Sequence, residues 1–242
     1  MEPTSNSPSP DNNSSGKNFA GFVSFDFPWI FGRIQEIMLN PTGCWDKIKT
    51  EALNAKQLFG RYLIPLAIIS TVCSFVGQAF IGINIPPFGT YKIPFFSGLI
   101  FHVFSFLATL GSYFVSAFII EKLAPKFETQ VSQDQALRLV GFAATPSLLA
   151  GILTLAPNGL IFLVMIILWC YACYLLWSGF QPMTAVADKM KIAYFATSII
   201  CSVLSFLIIS GVVATIFGPT TPYDKDMKDF QKNIEKLIPG AK

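Results

Sequence analysis

The sequence predicts an all-α, polytopic membrane protein. It has five transmembrane helices in a bundle, an N-terminal region of interfacial amphipathic helices and a short C-terminal amphipathic helix. Three observations carry this reading. First, residues 62–82, 95–120, 136–155, 159–179 and 192–217 are five long apolar stretches. At a rise of about 1.5 Å per residue, about 20 apolar residues cross a hydrocarbon core of about 30 Å. Second, none of the five holds an Asp, Glu or Lys in its central turns. Third, 52% of residues are hydrophobic, only 13% are charged and the mean hydropathy is +0.55. A water-soluble domain carries about 25% charged residues, so most of this surface meets lipid.

Residues 1–25 read as a disordered cytoplasmic arm. The first 18 are rich in Ser, Asn and Pro and lack the apolar core of a signal peptide. Asn13-Ser14-Ser15 fits a glycosylation pattern that would go unused on the cytoplasmic side. Residues 26–60 are amphipathic rather than spanning. Asn40 is suited to cap a helix and Pro41 to open it, because the missing N–H costs nothing in the first turn. Trp45, Ile48, Ala52, Ala55 and Phe59 then recur at steps of three and four, which lines them along one face. Asp46, Lys47, Lys49, Asn54, Lys56 and Gln57 fill the remainder. Upstream, Ile30, Ile34 and Ile37 form a shorter stripe, with Trp29 suited to the headgroup region. Two placements follow: helices lying in the cytoplasmic interface, or helices packed on the bundle.

Residues 61–217 form the bundle. Its spans carry small and weakly polar residues at intervals of four: Ala108, Ser112 and Ser116 in the second, Ala143, Ser147 and Gly151 in the third. Such seams let helices approach closely in lipid. Ser70, Ser74 and Gln78 make a similar stripe in the first span, readable as a packing seam or as the lining of a polar path. Pro65, one turn into the first span, and Pro146, in the middle of the third, each remove a helix hydrogen bond, so both are candidate kinks. Thr145-Pro146 is the expected main bend. Ala156-Pro157-Asn158 is all that joins the third and fourth spans, which implies a tight antiparallel pair. In residues 218–242, Thr221-Pro222 opens a helix, Met227, Phe230, Ile234 and Leu237 share a face, and Pro239-Gly240 ends it.

Charge placement sets topology. Lys17, Arg33, Lys47, Lys49, Lys56 and Arg61 precede the first span, Lys122, Lys126 and Arg138 lie around the second loop, and Lys189 and Lys191 lie in the fourth. The other side holds Lys92 and the five lysines of the C-terminal tail. The excess places the N-terminus in the cytoplasm and the C-terminus outside. A net charge of +3 is too small to suggest nucleic acid. Five cysteines include Cys170 and Cys173 at a CxxC spacing, but no second pair or nearby His completes a metal site. They read as thiols behaving as small hydrophobes.

Several segments resemble one family. Asn40-Pro41 with Trp45, Ile48 and Glu51 is similar to the N-terminal signature of bacterial Yip1-domain proteins. Tyr62-Leu63-Ile64-Pro65-Leu66-Ala67 resembles that family's entry into its first span, and Leu139–Pro146 its aromatic-small-Thr-Pro stretch. Leu155-Ala156-Pro157 matches the turn that follows, and residues 171–183 the end of the fourth span, where Phe180-Gln181 departs from the usual Gly-Leu-Pro. The resemblance covers about residues 30–217 and implies a five-helix bundle with a cytoplasmic N-terminus. The related eukaryotic proteins act in vesicle traffic between ER and Golgi and associate with Rab GTPases. The bacterial lean of the resemblance implies an inner (plasma) membrane.

Chemistry is sparse. The chain has one histidine, His102, in the second span, so no HExxH motif can form, and neither an intramembrane aspartate pair nor a Gly-rich phosphate loop is present. An enzyme is not expected, nor is a metal or cofactor. The sequence favours a membrane-organising or partner-binding scaffold. Its candidate interfacial or partner face is Trp45, Ile48 and Phe59 with Lys47, Lys49 and Lys56 offered to anionic lipid, a protein partner or a second copy. The alternative is a transporter or channel for a small solute, neutral rather than charged, or an ion, with Gln78 and His102 as candidate intramembrane polar positions.

Overall fold

The computed structural model describes residues 23, 25–51, 53–85, 89–156 and 161–218. The expected C-terminal helix and most of the N-terminal arm lie outside these residues. Helices start where caps are available. Asp26 accepts a hydrogen bond from the Trp29 amide (3.3 Å) and opens α1, Phe27–Leu39. Asn40 ends α1, its amide bonding the Glu36 carbonyl, and its side chain caps α2, Pro41–Thr50, by accepting from the Gly43 amide (3.3 Å). One residue thus closes one helix and opens the next.

Five helices among the described residues are long and apolar enough to cross a membrane. The first runs from Ala55 to Ile81 and begins before residue 62, because Asn54 and Gln57 form a capping box well upstream of the apolar run. It comprises α3 (Ala55–Leu58), a π turn (Phe59–Leu63), α4 (Ile64–Val76) and a second π turn (Gly77–Ile81). Pro65 has no N–H to offer the Arg61 carbonyl. Just before it the ladder widens, and the Ile64 amide reaches the Phe59 carbonyl five residues back. The helix therefore continues through Pro65. A hairpin of β1 (Ile83–Ile85) and β2 (Gly89–Tyr91), with Ile83 opposite Tyr91, leads to the second span. Strands this short carry no periodic signal, so the sequence does not announce them.

The second span, Phe95–Phe127, contains α5 (Phe95–Leu123) and a closing 3-10 turn. The third is α6 (Gln133–Ala143) followed by α7 (Thr145–Leu153), interrupted at Ala144. The fourth, α8 (Ile161–Thr184), runs past residue 179 and through Pro182, stopping where Ala185 turns to positive φ. The fifth is α9, Asp188–Phe217.

The third span is the axis. It packs on α4, α5 and α8, and most of it is buried. The fifth span packs almost wholly on α5. Leu107, Phe118, Ile167, Leu204 and Ile208 point outward, as lipid-facing side chains do. The first and third spans approach closely at Gly151, where an added Cβ would lie 2.1 Å from the Ser70 hydroxyl oxygen. Ser70 and Ser74 therefore meet the third span at a small-residue seam, held by a Ser74 hydroxyl bond to the Gly151 carbonyl (3.3 Å).

The core is concentrated at the end capped by α1 and α2. Trp45, Ile48, Leu58, Tyr62, Leu63, Phe142 and Phe180 are fully buried there. This revises the expected partner face: Trp45, Ile48 and Phe59 are inside the protein, as are Ile30 and Ile37. The physical reason is area, since a fully buried apolar side chain contributes about 1.5–3 kcal/mol and the bundle offers a ready wall. The opposite face of α1 instead leaves Phe27, Phe31 and Leu39 exposed.

Candidate functional site

At the α1–α2 end, two arginines are drawn inward around Glu51. Arg33, only 9% exposed, pairs with Glu51 and with Glu36 (3.1 Å), and its guanidinium lies over the rings of Trp29 (5.5 Å) and Phe142 (5.7 Å). Burial pulls this group down, but the hydrogen bond and charge of Glu51 outweigh it and hold Arg33 above its ordinary value. Arg138 is also buried and donates to the backbone carbonyls of Ile48 (3.0 Å) and Glu51, fixing the end of α2 to α6. Burial pushes the neighbouring Cys44 thiol up, against the opposing bond from Arg33. Lys47 bonds Glu36, and that hydrogen bond and charge raise its ammonium above the usual lysine range. Trp45 anchors the other side: its indole N–H donates to the Ser178 hydroxyl (3.0 Å), and its ring lies directly on Gly179. The Tyr171 hydroxyl donates to the Met38 carbonyl (2.7 Å), tying α8 to the end of α1.

Beneath this lid lies a plug. Pro146 cannot donate to the Phe142 carbonyl four residues back, and the Thr145 hydroxyl takes that bond instead (2.7 Å). With its proton committed, Thr145 accepts from the Tyr62 hydroxyl (2.7 Å). The interruption in the third span is thereby satisfied within the protein. The rings of Tyr62 and Phe142 (4.9 Å) and of Phe59 and Phe114 (4.4 Å) complete the layer. Thr145→Val keeps the shape and deletes the hydroxyl, leaving two fully buried groups unpaired. It is expected to cost about 1–3 kcal/mol, read as a lower melting temperature in detergent. Tyr62→Phe leaves the Thr145–Phe142 bond intact and should cost less.

Beyond the plug the bundle opens into a cavity of about 630 Å³. That is within the range of small-molecule sites, about 300–1,000 Å³. Ser70, Ser74 and Gln78 of the first span line it, with His102, Ser105, Thr109, Ser112 and Ser116 of α5. Ser147 and Thr154 of the third span and Ser202 of α9 complete its polar wall. From His102 to Ser116 this wall extends about 21 Å, most of a hydrocarbon core. None of the described residues lining it is Asp, Glu, Lys or Arg. His102 is 6% exposed, and its Nδ1 donates to the Gly98 carbonyl (2.8 Å). Phe75 and Phe101 meet it edge-on, each at 5.5 Å.

The structure thus brings Gln78 and His102 together on one cavity and separates them from Lys47, Lys49 and Lys56, which lie on the surface at the other end. The two candidate kinks, Pro65 and Pro146, are buried, Pro65 just after the π turn of the first span and Pro146 just after the interruption at Ala144. Cys170 and Cys173 are exposed on α8, and Cys173 is among the residues lining the cavity. Sequence reasoning missed the roles of Arg33, Glu51 and Arg138. The available signal was two arginines placed among apolar residues, where each needs a partner.

A five-span helical bundle, closed at one end by a partly buried ionic lid and hollow beyond it, is the architecture of a multi-pass integral membrane protein. The Yip1 domain family model matches residues 36–217, and the chain belongs to the Yip1 family. Among its relatives, the inner membrane protein YohC of Escherichia coli strain K12 is 23% identical over 161 residues, covering 66% of this chain and 83% of that protein. YohC of E. coli O6:H1 strain CFT073 matches to the same extent. No solved structure matches the chain.

Proposed function

We propose that this protein binds and moves a small uncharged solute in the inner membrane, without catalysing a reaction on it. The cavity supports this reading: an intramembrane space, largely apolar with hydroxyls along its walls, lacking fixed charge among its described lining residues and plugged towards the α1–α2 end. A charge at that depth would need a partner that the lining does not offer. The inner-membrane setting follows from the similarity to YohC, an inner membrane protein. The lysine and arginine excess at the α1–α2 end supports a cytoplasmic lid and a C-terminus outside. Proteoliposome uptake across protons, common ions and neutral solutes tests the reading. Protein-dependent uptake of a neutral solute should vanish in Thr109→Trp, which fills the cavity, and persist in Lys126→Ala. No uptake from any solute in the panel would oppose it.

A second reading, a membrane-organising or partner-binding scaffold, draws on the outward apolar face of α1. Phe27, Phe31 and Leu39 are exposed there, and Lys47, Lys49 and Lys56 lie at the same end. Near an anionic bilayer each such lysine contributes about 1 kcal/mol. A protein partner or a second copy of this chain could use the same surface.

A further inference from the structure

The walls of the cavity are not equivalent. On three sides the first, second and third spans pack on one another. The fourth side is α8 and α9, which are held together close to the link that joins them. There Trp177 meets Phe195 (4.8 Å), Phe180 meets Phe195 (5.2 Å) and the Lys191 ammonium lies over the Trp177 ring (4.3 Å). Farther along, the two helices touch little. Trp169 and Cys173 of α8 and Val203, Phe206 and Leu207 of α9 line the cavity and remain exposed. Exposed lining residues on both helices mark the rim of an opening between them. Trp169 lies about 24 Å of helix from the α8–α9 link and Leu207 about 30 Å, well within the spanning segments. The rim therefore opens into hydrocarbon, not into water.

What enters by such a path must already be dissolved in the bilayer. What it meets inside is a largely apolar space with the hydroxyls of Ser105, Thr109 and Ser116 on the far wall and no fixed charge among the described lining residues. An anionic headgroup would arrive without a counter-charge, at a cost of several kcal/mol. A hydroxyl or ester headgroup would find donors and acceptors, while its acyl chains stayed between Trp169 and Phe206. We infer that the cavity takes its ligand sideways from the bilayer, between α8 and α9, and that this ligand is an uncharged lipid alcohol of the diacylglycerol type. The inference rests on the cavity being the working site and names the class of molecule it handles.

The test uses the full chain in vesicles of phosphatidylethanolamine and phosphatidylglycerol, doped with either a diazirine-bearing diacylglycerol or a diazirine-bearing phosphatidylglycerol. Diacylglycerol should label α8 and α9 at the rim, should be displaced by unlabelled diacylglycerol, and should label several-fold less in Thr109→Trp. Val203→Trp, at an exposed rim position, should reduce labelling in the same way. Equal labelling by both lipids, indifferent to both variants, would mean ordinary boundary lipid and overturn the inference. Neutral-solute uptake with no diacylglycerol labelling would overturn it too, while leaving the cavity as the working site. Loss of both uptake and labelling would remove the cavity reading itself.

Discussion

Gly179→Leu is expected to cost about 3–5 kcal/mol, the range for losing a large buried aromatic side chain. Replacing glycine within a helix would ordinarily gain about 1 kcal/mol. Here a Cβ would lie 2.3 Å from the Trp45 ring, and the ring has no room to yield because Trp45 is fully buried between α2 and α8. Trp45 must leave its slot, and the Ser178 bond goes with it. Packing thus outweighs propensity, and the sign reverses. A thermal melt in detergent reads the loss. Gly111→Leu, where nothing lies within 4 Å, is the matched control and should melt like wild type or slightly higher.

Glu51→Ala is the second large effect. Breaking a fully buried ion pair costs about 3–5 kcal/mol. The Glu51 side chain is 30% exposed, which discounts the figure to about 2–3 kcal/mol. As an acidic partner Arg33 would keep Glu36, which it already shares with Lys47. Arg138 would be spared, because it holds the Glu51 backbone carbonyl rather than its carboxylate. The double variant Arg33→Leu/Glu51→Ala should recover part of the loss by removing the uncompensated charge. A double variant less stable than Glu51→Ala alone would mean that Arg33 acts through its ring contacts and not its charge.

These two sites show what the sequence could and could not disclose. Five spans were legible because lipid imposes a length and forbids unpaired charge, and both constraints are local in sequence. The stripe of Trp45, Ile48 and Phe59 was equally plain, but a stripe records only that a helix has a greasy side. Whether that side meets lipid, a partner or the protein itself depends on partners such as Gly179, more than 100 residues away. The Arg33–Glu51–Arg138 lid was hidden for the same reason, since only the fold brings α1, α2 and α6 to one point. Ser70, Ser74 and Gln78 admitted both a seam and a polar lining, and the structure gives them both. Ser70 and Ser74 pack on Gly151, and all three also face the cavity. The hairpin at Ile83–Tyr91 left no trace, since three-residue strands fall below any periodic signal.

The central claim is that the hollow half of the bundle is open to a solute. Thiol labelling tests it most directly, in a chain whose Cys73, Cys170, Cys173 and Cys201 are replaced by Ala. Cys44 can stay: it is fully buried, its thiol is pushed up by burial, and only the thiolate reacts. In liposomes, Ser147→Cys, on the cavity wall, should react with a small permeant maleimide, and Ala117→Cys, fully buried in α5, should not. Reaction at Ser147→Cys that also blocks uptake is the predicted result. A Ser147→Cys thiol as silent as that of Ala117→Cys would mean a closed bundle and contradict the account.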